Sequence, residues 1–495
     1  MGVSTMGLRR MWRRVRSLTE RQHNLLAISD LHLGCDLRPG QNLDRPRPAD
    51  HALASFLEWH ADHRTERKPW RLILNGDIVD FVAITLVPDH ADFEITDEER
   101  ELGLAPSEPK CVWKLRRAAQ RHPSVFDALA RFVHKGNSLR IIRGNHDAEW
   151  RWPAVQAELR RILIERAGVR SAAARRRFEK TIQFHDWFYL EPGFFYAEHG
   201  HAHDHYSVQS DFFAEHGGAL AQQEMQLPLS SKVLRYFVNR YTEQVELPDD
   251  VDTWGPKEYL DWLLKAGNPL RVAADYFVMV FRVFYPMVRQ WLRFSRAFAR
   301  AADKAMGQKA PPHVRRMFSR FQGTEKQAQQ LVAIAARPGE QSLFDSMQLF
   351  YLDRMLLAGL CLFCAISTSQ SVFGFWPRAG AITVVGILFA ALNALLGSKR
   401  KTDAHPMLQA AARRVAQVFD VKYIVMGHSH RAVDETVGTG TRYFNLGSWT
   451  GRSGDGFPHV AVEGGKAELR RWKGPPVVQL PAPPEEEAQG VPVPA

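Results

Sequence analysis

At 495 residues the chain exceeds the ~250 to 300 residues at which a single core stops growing, so at least two structural units are expected. Apolar residues at 45% and charged residues at 24% are ordinary globular values, which exclude a disordered, collagen-like or wholly membrane-embedded chain. The formal charge of +11 is concentrated: residues 281–320 carry a net +9 and residues 1–21 a net +5, so nucleic acid and anionic lipid are the partners to weigh at those two patches.

The start does not read as a cleavable signal peptide, because its arginines are followed by polar Ser17, Thr19, Glu20 and Gln22. Met6, Leu8, Met11, Trp12 and Val15 alternate with Arg9, Arg10, Arg13, Arg14 and Arg16, a pattern suited to a short basic helix on an anionic surface or to a solvated tail. Next comes a series of short apolar runs, each read as a strand and each ending in polar residues. Leu25–Ser29 leads into Asp30-Leu31-His32, and Leu72–Leu74 into Asn75-Gly76-Asp77. Leu139–Ile142 leads into Arg143-Gly144-Asn145-His146-Asp147, and Phe194–Ala197 into Glu198-His199-Gly200-His201. The last histidine begins a longer run, with His203 and His205 following. Either His199 or His201 suits a ligand role; His199 is favoured on the resemblance described below.

Further along, Tyr276–Val288 is apolar and aromatic but too short to span a bilayer, and Arg289, Arg293, Arg296 and Arg300 follow it. That interleaving suits a bilayer interface or a lid over an amphiphilic substrate. Two uncharged stretches come next, residues 355–376 and 379–397, each long enough to cross ~30 Å of hydrocarbon as a helix. Arg354 before them and Lys399, Arg400 and Lys401 after them outweigh Arg378 in the turn, so both outer ends are expected in the cytoplasm. The alternative is a buried helical hairpin. Lipid therefore outranks nucleic acid as partner. Cys361 and Cys364 inside this region have no second Cys/His pair nearby and are read as packing residues; with Cys35 and Cys111 they give no disulfide framework, which favours a reducing compartment. Tyr423–Met426 then leads into Gly427-His428-Ser429-His430, and a Pro-rich tail from Gly474 cannot bury a core.

Residues two apart at a strand end project to one side, so these clusters can converge on metal ions. Carboxylates, imidazoles and one amide oxygen favour Mn, Fe or Zn over calcium or structural zinc. Two divalent ions, offset by Asp30, Asp77 and a bridging hydroxide, leave about +1 to attract a phosphate. Hydrolysis of a phosphate ester or diphosphate follows.

The ordered set SDLHLG, NGDIVD, GNHD, HGH and GHSH resembles the calcineurin-like metallophosphoesterase superfamily. The resemblance implies an α/β fold, a four-layer αββα sandwich with a dimetal site at the strand ends. Its core would run over residues 24–204 and 405–473, with a basic segment at 1–23, a helical insertion at 205–404 that carries the transmembrane hairpin, and a disordered tail at 474–495. By motif, Asp30, His32 and His430 would hold one ion, Asp77 would bridge, and Asn145, His199 and His428 would hold the other. His146 would stand near the phosphate and leaving group, oriented by Asp147, and Asp80 is a plausible supporting carboxylate. Within the superfamily the motifs look most like the UDP-2,3-diacylglucosamine diphosphatase group, from which the chain departs at His146, where that group has Arg. The expectation is thus a membrane-anchored, cytoplasm-facing phosphoesterase acting on a membrane-proximal or lipid-linked phosphate. A soluble nucleotide phosphodiesterase or phosphoprotein phosphatase, and a non-catalytic membrane scaffold or sensor, are the competing readings. Oligomeric state is not legible.

Overall fold

The apolar runs become strands because both of their faces find a partner. The structure is a computed structural model that describes residues 22–213, 225–241, 261–262, 264–265, 267–294, 310–321, 323–372, 374–398, 403–438, 440–450 and 455–475. The basic alternation before Gln22, the arginines at 296 and 300, and the tail from residue 476 lie outside the described residues.

In chain order the elements that position the site are β1 (Asn24–Ile28), α1 (Pro48–Asp62), β2 (Trp70–Asn75), α2 (Glu108–Arg121), α3 (Pro123–His134), β3 (Ser138–Ile142), α4 (Pro153–Arg166), β4 (Ile182–His185), β5 (Phe188–Glu191) and β6 (Phe195–Glu198). There follow α5 (Leu229–Tyr236), α6 (Pro269–Phe294), α7 (Pro312–Arg320), α8 (Glu325–Ile334), α9 (Leu343–Leu349), α10 (Leu352–Ser371), α11 (Phe375–Ser398) and α12 (Ala404–Val418). The chain closes with β7 (Tyr423–Met426), β8 (Ala432–Val437), β9 (Thr441–Leu446), β10 (Phe457–Glu463) and β11 (Lys466–Trp472).

Two sheets result, in the orders β11-β10-β1-β2-β3-β4 and β5-β6-β7-β9-β8. Strands β1 to β4 run parallel, with Leu26 opposite Leu72 and Leu72 opposite Leu139. In the second sheet β6, β7 and β9 run parallel, Tyr196 pairing Ile424. Strands from both sides of the long helical stretch therefore share both sheets. Alternation along each strand splits its side chains between two cores. Leu26, Ile28, Leu72, Leu74 and Ile141 join α1–α4 on one side, whereas Leu25, Ala27, Ile73 and Ile142 face Phe195, Ala197, Val425 and Phe444 of the other sheet. The outer face of the second sheet, through Tyr196, Ile424 and Met426, is covered by Leu408 and Ala411 of α12.

Helices of the stretch 205–404 pack in two places: Val314, Phe318, Ala328 and Leu331 of α7 and α8, at helical spacing, bury against the second sheet with Phe188 and Phe419. What stands apart is a smaller core built by α5, α6 and Phe350, including Leu229, Val272, Met279 and Val283. The break in the apolar hairpin falls earlier than the expected Pro377-Arg378 turn, between Ser371 and Phe375. Gly374, at φ +89°, supplies the reversal, and Pro377 is accommodated in the first turn of α11, where no amide donor is needed. Arg378 instead turns back and donates to Val372 O at 3.2 Å.

Both hairpin helices are long and apolar enough to cross a membrane, and at 1.5 Å per residue they measure about 30 and 36 Å. They are not buried in a protein core: Leu356, Phe363, Trp376 and Ile387 are all more than half exposed. Cys361 and Cys364 lie on α10 as free thiols.

Candidate metal centre

Parallel pairing aligns the C-terminal ends of β1, β2 and β3, and likewise of β6 and β7, so the five motifs leave their strands at one edge of the molecule. The backbone bends sharply there. Asp30, His32, Asp77, His428 and His430 all have positive φ, between 44° and 67°. A non-glycine residue in this region costs roughly 1 to 3 kcal/mol and persists only where the surroundings enforce it. The enforcing bonds are Leu31 N and His32 N to Asp77 O, both 2.9 Å, and Trp449 N to Asp30 O, 3.0 Å. Glycines admit the close approach. A Cβ on Gly144 would stand 2.1 Å from Asp77 Oδ1, and one on Gly76 would stand 2.4 Å from His199 Nδ1.

Three overlapping groups of potential ligands result: Asp30, His32 and His430; His32, Asp77 and His146; and Asp77, His199 and His428, with the ligand atoms of each group within 4.8 Å of one another. His430 Nε2 lies 3.2 Å from Asp30 Oδ1, and the His32 and His430 rings meet edge to face at 5.4 Å. On the other side His199 Nε2 lies 3.1 Å from Asp77 Oδ2 and 3.1 Å from Asn145 Oδ1. Asp77 has a ligand group on either side of it, as a bridging residue requires. Its Oδ1 accepts from His146 N at 2.8 Å, which turns Oδ2 toward the histidines. Of the two histidines left open by the sequence, His199 enters the cluster; His201 is buried behind it, ring centroids 5.5 Å apart.

Three of the histidines are fixed through one ring nitrogen, leaving the other for an ion. His32 Nδ1 bonds Asp80 Oδ2 at 3.0 Å, His199 Nδ1 donates to Asn75 O at 2.9 Å, and His428 Nε2 bonds Asp204 Oδ2 at 3.1 Å. His32 Nε2 is buried with no hydrogen-bond partner among the described residues, as a nitrogen intended for a cation would be. Burial alone would raise the Asp77 carboxyl, but His199, then His146 and His32, hold it well below the usual carboxylate range. Asp30 is lowered in the same way, by His199 and His430 against burial. Burial opposes a charge on His199, yet Asp77 and Asp30 push that imidazole up to about 9. The carboxylates thus draw positive charge to the place where the ligand atoms meet, and the donor set fits divalent cations in chemistry as well as placement.

The third motif departs from expectation. Asp147 does not orient His146: its oxygens accept from Gly144 N, Ile78 N and Trp150 Nε1 at 2.6, 2.7 and 2.8 Å, so it ties the second motif to the third. Burial, then the Asp77 charge, raises this carboxyl to about 6. The carboxylate beside His146 is Asp80, whose Oδ1 lies 3.1 Å from His146 Nδ1. The sequence reading also missed Asp204, which additionally accepts from Tyr206 N and Ser207 Oγ. Its signal was its place in the His-rich run. His203 of that run bonds Glu198 Oε1 at 2.8 Å and is a buried structural residue. A cavity of about 370 Å³ lined by Thr85, Arg100, Arg240, Arg271 and Asp275 includes none of the site residues.

Comparison with known protein families matches residues 23–276, just over half of the chain, to the family described as calcineurin-like phosphoesterase. The match begins at β1 and ends within α6, so the second half of the site, with His428 and His430, lies beyond it. No curated protein matches the chain.

Proposed function

The chain belongs to the calcineurin-like phosphoesterase family and is a phosphoric ester hydrolase; from that premise we propose that it works with two divalent ions on a membrane-proximal or lipid-linked phosphate ester or diphosphate. Asp30, His32 and His430 would hold one ion, Asn145, His199 and His428 the other, and Asp77 would serve both. Bound there, the ions would lower the pKa of a water molecule and neutralise phosphoryl oxygens. The observation that carries the reading is the pair of ligand groups meeting at Asp77.

The remaining steps fall to the protein. Asp80, buried against the imidazoles of His32 and His146, holds the His146 ring through Nδ1, and the His146 side chain is 22% exposed and so open to a substrate. His146 is thereby placed to hand a proton to the departing oxygen, the general-acid half of the reaction. Asp147 holds the loop that carries Asn145 and His146, and Asp204 keeps His428 turned inward.

Support for the membrane-proximal part comes from α10 and α11. Their outer ends lie side by side: a Cβ on Gly397 would be 3.1 Å from Arg354 Nη2. With Lys399, Arg400 and Lys401 following, the hairpin would enter and leave on the cytoplasmic side, and the catalytic domain would face the cytoplasm. The likeness of the motifs to the UDP-2,3-diacylglucosamine diphosphatase group also favours an amphiphilic substrate, although His146 replaces that group's Arg.

The test is hydrolysis of p-nitrophenyl phosphate and bis-p-nitrophenyl phosphate by the full chain. We expect turnover that is abolished by chelation, restored by Mn or Zn, and reduced by about a thousandfold or more in Asp77→Ala, since one side chain serves both ions. Equal rates for the two proteins would remove this cluster from the chemistry.

A further inference from the structure

Behind the second ligand group lies a set of buried polar side chains that the hydrolytic scheme does not use. Arg143 is 4% exposed, His201 2% and Gln209 1%. Arg143 Nε, both ring nitrogens of His201 and both amide atoms of Gln209 have no hydrogen-bond partner among the described residues. Phe212 brings the first two together, its ring lying 5.1 Å from the Arg143 guanidinium carbon and 5.4 Å from the His201 ring, and Gln209 is three residues before it on the same turn, where Phe212 N donates to the main-chain O of Gln209. Nearby Arg151 has a carboxylate, Asp211, at 2.9 Å; Arg143 has no ion-pair partner among the described residues.

A guanidinium buried without a counter-ion is among the least favourable arrangements a fold can retain, and so is a buried imidazole or amide with nothing to bond. Arg143 and His201 meet at the Phe212 ring beside the metal ligands, and Gln209 belongs to the turn that carries Phe212. Arg143 is two residues from Asn145, and the His201 ring lies 5.5 Å from the His199 ring, tilted by 47°. A tetrahedral oxyanion would relieve them at once, because a guanidinium fork, an imidazole N–H and an amide NH2 are the donors such an anion takes. We propose that Arg143, with His201 and Gln209, forms an oxyanion site adjoining the second ion position that holds a phosphoryl group of the substrate or the phosphate it releases. The proposal rests on the phosphoesterase reading for its ligand class but not on turnover.

Inorganic phosphate is titrated into the Mn-loaded full chain by calorimetry, with metal content and thermal melting measured alongside. We expect one phosphate to bind, Arg143→Met to weaken it by about tenfold or more, and Arg143→Lys to recover part of the loss, with metal content unchanged. His201→Leu and Gln209→Leu should weaken it by less, and they carry the test should Arg143→Met not fold. Equal phosphate affinity in wild type and variants, or no binding by wild type, overturns the proposal. Kinetics separate the two sources: a raised KM together with weaker phosphate inhibition identifies the substrate's phosphoryl group, and weaker inhibition alone identifies the product. Arg143-dependent binding in a protein that hydrolyses neither aryl phosphate would leave this site standing and remove the phosphoesterase reading.

Discussion

Asp80 is shared by two imidazoles, at 3.0 Å from His32 Nδ1 and 3.1 Å from His146 Nδ1, while its Oδ1 also accepts from Ala83 N. Burial would raise this carboxyl, but His146 and His32 depress it, so it is ionised wherever the site operates. Asp147, only two positions beyond Asn145, has three neutral donors and no imidazole. The two carboxylates should therefore fail differently when made amides. Asp80→Asn should weaken ion retention at His32 by about ten- to a hundredfold and lower kcat, with melting nearly unchanged. Asp147→Asn must turn an NH2 group against an N–H donor, and should cost about 1 to 3 kcal/mol of stability. Elemental analysis beside thermal melts checks both; the reverse pattern would exchange their roles. This distinction was not legible in the sequence, where Asp147 follows His146 directly. Adjacency along the chain says little about orientation once the turn places residue 147 back under β2.

At the scale of elements, each strand-to-motif junction was legible, because an apolar run buried on both faces needs no alternation and its polar end marks where the sheet stops. Tyr423–Met426 has the residues expected, and β1 begins and ends one residue earlier than its run. Helices α7 and α8 were not assigned to the core. Their apolar residues are few and mixed with charge, and only the facing aromatic side chains of β5 and the Phe419 loop show where they pack. The hairpin was legible in extent but not in its turn, since a proline near a helix start is as acceptable as one in a loop. With their apolar side chains directed outward, α10 and α11 should keep the chain in the membrane pellet through carbonate extraction. Release with the soluble fraction would end the transmembrane part of the account and leave the hydrolytic part untouched.

Across the whole molecule, the two sheets matter because they are completed by chain segments from both ends. Strands β10 and β11 extend the first sheet beside β1, and β7 to β9 extend the second beside β6. Asp30 and His430, 400 positions apart in sequence, come within 3.2 Å only because both sheets close over the shared core of Leu25, Ile73, Phe195 and Val425. The strain at Asp30, His32, Asp77, His428 and His430 is then held by the packing of the entire domain. This convergence was readable in outline from five motifs. Of the supporting residues Asp80 was readable, three positions past Asp77, but its two imidazole partners, Asn75 O and Asp204 were not, since they depend on which face each turn presents. Two ions meeting at one carboxylate is the central claim, and anomalous diffraction at the Mn edge from crystals of the Mn-loaded chain tests it most directly. The account predicts two peaks on either side of Asp77, one also touching Asp30, His32 and His430, the other Asn145, His199 and His428; a single peak, or peaks away from Asp77, would contradict it.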